Sequence, residues 1–503
     1  MSAPIDRALA RDEHAERVAT DVFSRAHHDS DDESINQAPL LERLALRVTA
    51  WCEKWYPDAY VFVAFTVLVV ALGAMAMGAS PRAVSVAFGN GFWSLIPFTM
   101  QMAMVAISGY VIASSPPVAR LVTRAAQVPR HGRAAVAYVA FISVLTSLLH
   151  WAISLVFAGL LVRELARRTD LRMDYRAAGA AAYLGIGATW ALGLSSSAAQ
   201  LQANAASIPA ALLPITGVIP FSETLFLWQS LAIAAALVIS STLIAWWTAP
   251  AAGRAKTAHD LGIPLAAIEN TLPPRERPGE FLEYSPALTL VLVALGAGWL
   301  WNEFATHSWL AAISGLNTYN LLFLLAGMLL HWRPRSFLQA VSRAVPATAG
   351  VLIQFPLYGA IAGMLTGARG ASGETLSHLL STFFVSIAST HTYALLMGVY
   401  SSVLGFFVPS GGGKWIIEAP YVMEAANRLH VHAGWAVQIY NAAEALPNLI
   451  NPFWMLPLLG ILGLKARDLV GFTFAQFLCS MAIVLTLLSV LAPTLVWHAP
   501  VLH

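Results

Sequence analysis

Long apolar runs separated by short basic or polar segments fill the chain from residue 58 onward. A helix needs about 20 mostly apolar residues to cross a bilayer. Nine stretches meet that length, at 58–79, 91–114, 179–216, 224–248, 284–303, 316–332, 343–366, 435–463 and 471–494. Two more apolar stretches, 134–163 and 393–425, are each broken near the middle. Arginine-rich segments flank the first of these on both sides ("PPVARLVTRAAQVPRHGR" and "RELARRTDLRMDYR"). The positive-inside rule puts both flanks in the cytoplasm, so this stretch enters and returns as a re-entrant hairpin. Such backbone is tolerated at membrane depth only inside protein or beside a cavity.

The pattern predicts an all-α polytopic membrane protein of about nine spans and two hairpins, with its N-terminus in the cytoplasm. In that topology every Lys and Arg lies on the cytoplasmic side except Arg82, Arg369 and Arg428 outside and Lys414 at membrane depth. The expected organisation is a polar, disordered tail at 1–38 and an interfacial amphipathic helix at 39–56. A first membrane repeat at 57–248 and a cytoplasmic loop at 249–283 follow. A linking span at 284–315, a second repeat at 316–495 and a tail at 496–503 complete the chain.

Composition agrees with a membrane protein: 57% of residues are hydrophobic and only 11% charged, against about 25% in soluble domains. The net charge of +2 gives no basic field for nucleic acid. Cys52 and Cys479 stand far apart and read as packing residues. His27, His28, His378 and His391 show no ligand spacing, so neither metal nor cofactor is expected.

The two halves echo each other. "FWSLIPFTMQMAMVAISGYV" matches "ATAGVLIQFPLYGAIAGML", placing Gln101 and Gln354 inside spans, where glutamines hydrogen-bond across helices. "SLLHWAIS" matches "GGGKWIIE", each with a polar residue, His150 or Lys414, before Trp151 or Trp415. The halves start on opposite sides of the membrane, which makes this an inverted-topology repeat, an architecture of secondary transporters. Each half also carries an interrupted span, "LSSSAAQLQAN" and "NAAEALPNLINPFW", the latter opened by Pro447 and Pro452.

Candidate chemistry gathers at the breaks. "GGGK" at 411–414 is not a phosphate loop, because Val408 and Trp415 stand where that motif needs Gly and Ser or Thr. It reads instead as a hairpin turn, with Ser410, Gly411, Gly412 and Gly413 opening a helix whose first amides favour an anion. Ser195, Ser196, Ser197, Asn448 and Asn451 offer uncharged donors for a carboxylate. Trp151 and Trp415 could wall a cavity, and His150 could carry a proton. Lys414 at membrane depth must face a cavity or a partner, Glu418 or Glu444. Glu444, inside a broken span, is the candidate for a coupling proton.

"VPSGGGKW", "NPFWMLPLLGILGLKARDLVGFT", "GFWSLIPFTMQMAM" and "LIQFPLYGAIAGM" together resemble the short-chain fatty acid transporter family of bacteria, over about residues 40 to 495. The resemblance implies a carrier in the inner membrane, moving a small carboxylate such as acetoacetate or butyrate with a proton or sodium ion. It also implies an elevator-like transport domain and, as often among relatives in the ion transporter superfamily, a homodimer. The family usually has Gln where Lys414 stands, Asn at His150, Gly-Leu-Ser-Gly-Ser-Ala-Pro at "GLSSSAAQ", and Asp and Thr at Glu444 and Pro447. Carriers of a dicarboxylate or aromatic acid, and cation–proton antiporters, are the alternatives within the superfamily. No nucleophile–base pair or paired-histidine helix points to an enzyme.

Overall fold

The computed structural model describes Trp55, residues 59–265, 272, 274–451 and 453–502. The expected tail at 1–38, the amphipathic helix (Trp55 apart), Cys52 and Pro452 lie outside the described residues. Among the described residues the chain is helical, with one isolated β-bridge between Arg369 and Thr375.

Helix α1 (Ala59–Ala76) leads to α2 (Pro81–Ser94), whose start is set by Ser80: its side chain accepts the Ala83 amide, and Pro81 pre-forms the first turn. Leu95 bends the chain into α3 (Ile96–Ala113). The span expected at 91–114 therefore begins ten residues earlier than its apolar run, as the second limb of a bent helix. Short α4 (Pro116–Ala125) buries Val122 and exposes its arginine side. Then come α5 (Gly132–Leu149) and α6 (Trp151–Ala166), separated only by His150 in extended backbone and packed against each other as a hairpin. At about 1.5 Å per residue neither arm reaches the roughly 30 Å of a hydrocarbon core.

The next span is interrupted as the sequence predicts. It runs as α7 (Tyr175–Leu184), a π-turn at Gly185–Thr189, a 3-10 turn at Trp190–Leu192, a break, and α8 (Ser197–Gln202). Helix α9 (Trp228–Thr248) closes the first half. Helix α10 (Ala287–Thr306) buries only Thr289 and Leu300, which is the profile of a helix facing lipid. Helices α11 (Leu316–His331) and α12 (Pro334–Ala344) precede α13 (Ala349–Gly367).

The order of the first half then recurs. A short helix, α14 (Leu376–Ile387), occupies the place of α4 and has no counterpart in the sequence expectation. The second hairpin is α15 (Tyr393–Phe407) and α16 (Gly411–Arg428). The second interrupted span is α17 (Ala433–Ala445), a 3-10 turn at Leu446–Leu449, and α18 (Leu456–Leu462). Helix α19 (Ala466–Leu491) packs on α9 and α15.

Small residues set the packing outside the hairpins. A Cβ on Gly91 would meet the Gly359 carbonyl at 2.3 Å, and one on Gly363 the Ala87 carbonyl at 2.5 Å. Helices α2 and α13 thus cross backbone to backbone, as small residues allow in a membrane. Gln101 on α3 donates to Asn317 Oδ1 on α11 at 2.8 Å, the cross-helix role expected of it. Gln354 instead accepts from Tyr358, one turn along its own helix.

Candidate functional site

Both hairpin tips meet the interrupted spans at one place. At the first tip the Leu194 amide donates to the Leu148 carbonyl at 2.7 Å, and the Trp151 amide to Ser195 Oγ at 2.9 Å. A Cβ on Gly193 would strike the Leu148 carbonyl at 2.4 Å, so glycine is what lets the break lie against the tip. At the second tip Trp454 Nε1 donates to the Pro409 carbonyl at 2.7 Å and Asn451 Nδ2 to the Phe406 carbonyl at 2.8 Å. Tyr440 donates its hydroxyl to the Gly411 carbonyl. The tips are joined by Trp151 and Trp454, whose rings stand edge to face at 5.7 Å.

A cavity of about 60 Å³ lies between them. One wall is polar: Ser197, Ser410, Gly411, Gly412 and Asn448, with Trp151, Trp190 and Trp454 around it. The apolar lining comes from α3 and α13, as Met102, Val351 and Phe355, with Ile186 added from the first interrupted span. Helix α16 begins at this cavity with no side chain capping its first amides. Trp190 Nε1 and Asn448 Oδ1 are buried without a hydrogen-bond partner. The arrangement offers donors to an anionic head and an apolar face to its tail.

The predicted residues divide in two. Trp151, Ser197, Ser410, Gly411, Gly412 and Asn448 line the cavity. Ser195, Ser196, Gly413, Trp415 and Asn451 stand behind it and hold its walls. Ser196 caps α8 and donates to Asn441 Oδ1 at 3.2 Å. Trp415 is fully buried and donates from Nε1 to Gln202 at 3.1 Å. A Cβ on Gly413 would meet the Tyr358 ring at 2.0 Å. His150 turns away from the cavity to pack on Tyr319 and Phe323, with ring centroids at 5.8 and 4.9 Å.

Lys414 also misses the cavity. It is fully buried, and its Nζ donates to Glu418 Oε1 at 2.8 Å and to the Ser401 carbonyl at 2.9 Å. The same Nζ stands 4.3 Å from the centre of the Tyr440 ring. Ser401 in turn donates its hydroxyl to Glu418 Oε2. Glu444 is buried on the neighbouring helix, and neither carboxyl oxygen has a hydrogen-bond partner. Sequence reasoning missed Trp190, Tyr440 and Gln202: Gln202 stands inside the first interrupted segment but reads there as one more polar residue, while Trp190 and Tyr440 fall just ahead of the two segments that polar groups and prolines mark.

The family model described as short chain fatty acid transporter matches residues 40–491. A protein of Escherichia coli (strain K12) whose name proposes a short-chain fatty acid transporter is 33% identical over 443 residues, covering 88% of this chain and 98% of that one. A Haemophilus influenzae protein of the same name is 31% identical over 440 residues, covering 86% and 96%. The crystal structure of the Alcanivorax borkumensis YdaH transporter shares the fold at a TM-score of 0.56 and 17% identity, over 87% of this chain and 98% of that one. Neisseria gonorrhoeae MtrF, described as illuminating a class of antimetabolite efflux pumps, follows at 0.51 and 13%, over 90% and 97%. The residues, the fold and these relatives agree: the chain is a multi-pass membrane transporter rather than an enzyme, and it belongs to the short-chain fatty acid transporter family.

Proposed function

We propose that this protein is a secondary carrier that moves a small monocarboxylate, of the size of acetoacetate or butyrate, across the bacterial inner membrane in step with a proton or other cation. The cavity between the tips is the observation that carries this reading. Its volume of about 60 Å³ admits roughly four to six water-sized groups, close to the six heavy atoms of butyrate and one short of the seven of acetoacetate. Free amides at the start of α16 and the Trp190 indole N–H suit a carboxylate, since helix N-termini favour anions. Met102, Val351 and Phe355 suit a short alkyl tail.

The cavity wall also supports an elevator-type motion. Its polar residues and Ile186 belong to the hairpins and interrupted spans, and Met102, Val351 and Phe355 to α3 and α13, so sliding one group past the other would carry the polar site along. The repeated element order and the charge asymmetry favour an inverted repeat with a cytoplasmic N-terminus. A homodimer would use lipid-facing helices such as α10. A doubly charged acid fits less well, because Lys414, the cation nearest the tip, is already neutralised by Glu418. An antiporter would need two free core carboxylates, and Glu418 is engaged for the same reason.

Purified protein in proteoliposomes, offered a panel of labelled acids, tests the proposal. Saturable exchange of monocarboxylates of about two to five carbons is expected. Transport confined to dicarboxylates, aromatic acids or cations would overturn it.

A further inference from the structure

One ammonium and two carboxyl groups are shut inside the second hairpin bundle, and only one carboxyl has a partner. The Lys414–Glu418 pair is complete: a carboxylate oxygen, the Ser401 carbonyl and the Tyr440 ring face surround Nζ. These are the ligand types that hold a bare cation at a broken helix. Here a cation tethered to the chain fills the seat. A sodium ion placed there as well would sit beside a like charge in a medium of low dielectric, where repulsion is severe.

Glu444 is different. Its two oxygens are buried and unbonded, and an ionised carboxylate in that condition costs several kcal/mol. A sodium ion could neutralise it only with a shell of further oxygens, and the Ser401 carbonyl and the Glu418 carboxylate of this cluster already hold Lys414. A proton needs no shell. The charged and titratable groups that act on Glu444 are Lys414 and Glu418 on α16 and Tyr440 on its own helix. Ser402 on α15 is spent on the Ala443 carbonyl at 2.8 Å. With Glu444 protonated the cluster is neutral; on losing the proton it holds one net negative charge, eased by Lys414 next to it. Glu444 also lies one turn before Asn448, which lines the cavity, so its state can be felt there.

We propose that Glu444 takes a proton rather than a sodium ion in each transport cycle, and that Lys414 is a built-in cation standing where a sodium ion would otherwise balance Glu418. The inference rests on the carrier reading above. One proton moving with one monocarboxylate carries no net charge, so the cycle is electroneutral.

The test uses the full-length protein in proteoliposomes with acetoacetate as probe, corrected with protein-free vesicles. An inward proton gradient should drive uptake equally in sodium and in choline buffer, and an imposed membrane potential should leave the final accumulation ratio unchanged. Glu444→Gln should lose accumulation by at least tenfold while keeping acetoacetate exchange, which also shows that it folds. Lys414→Gln should acquire stimulation by sodium. Should that variant fail to fold, Lys414→Arg must remain sodium-independent. Wild-type uptake that stops without sodium, full accumulation by Glu444→Gln, or a sodium-dependent Lys414→Arg would each overturn the inference. Acetoacetate exchange absent from the wild type strikes the carrier reading instead.

Discussion

Trp190 shows what a single side chain can withhold from its sequence. It stands in an apolar run and reads as packing, yet its indole N–H is buried at the cavity with nothing to donate to. An unmet buried donor costs the empty protein about 1–3 kcal/mol, and a hydrogen bond to a charged acceptor returns about 1.5–3 kcal/mol. Trp190→Phe should therefore weaken acid binding by roughly ten- to a hundredfold while the thermal midpoint of the empty protein stays level or rises. Titration of the purified variant alongside a melting curve checks both; a large loss of stability with unchanged affinity would make Trp190 a packing residue. Lys414 teaches the opposite lesson. Its cost at membrane depth was legible, and so were its two candidate partners. Which of Glu418 and Glu444 it chose follows only once residues 411–428 are known to form a single helix. Glu418 wins by the i,i+4 spacing that brings both side chains to one helix face.

At the scale of elements, the sequence disclosed most where it breaks. The second hairpin and both interrupted spans carry Gly, Ser, Asn or Pro where the helix stops, whereas the first hairpin turns at His150 alone and is betrayed by its arginine-rich flanks. Periodicity failed where an element is short: α14 has 12 residues, too few to register as a span, and α2 hides behind a Ser-Pro start that reads as loop. The glycines of the second tip separate two effects that the triplet conceals. A Cβ on Gly413 would overlap the Tyr358 ring at 2.0–2.1 Å, whereas on Gly412 its nearest contacts are Ser197 and Phe98 at 3.0–3.2 Å. Gly413→Ala should thus cost about 1–3 kcal/mol by overpacking and lower the melting temperature in detergent. Gly412→Ala should leave the fold nearly unchanged and intrude on the cavity, raising KM for uptake. Equal melting temperatures for the two would contradict this division.

At the scale of the molecule, the end of the chain is fastened to two loops far away in sequence. The Val218 amide donates to the Val501 carbonyl at 2.7 Å, and Gly217 holds a left-handed φ of 64° with a Cβ position that this strand of tail would fill. The Trp497 ring meets His430 edge to face at 4.7 Å. His498 presents Nδ1 to the Ala499 carbonyl at 3.0 Å and Nε2 to Glu223 at 2.9 Å. Two acceptors on one imidazole favour its doubly protonated form, and the Ala499 carbonyl first, then Glu223, raise its pKa above the usual histidine value. His432 lies close by, with a ring centroid 5.3 Å from that of His498. Its Nδ1 accepts the Trp435 amide at 3.1 Å, so the proton of its neutral ring is on Nε2, which makes it a donor there rather than a metal ligand. A raised folded pKa means that the clasp contributes fully below the unfolded value of about 6.5 and is lost as pH climbs through the folded one. A Val501→Cys protein should therefore react slowly with a membrane-impermeant thiol reagent at pH 6 and faster at pH 8.5, once corrected by a free thiol measured under the same conditions. Glu223→Gln should remove the difference by leaving the tail loose at both pH values. A corrected rate that does not change with pH, in a protein whose tail remains protected throughout, would mean that the Val218 bond and the Trp497 contact hold the tail without help from charge.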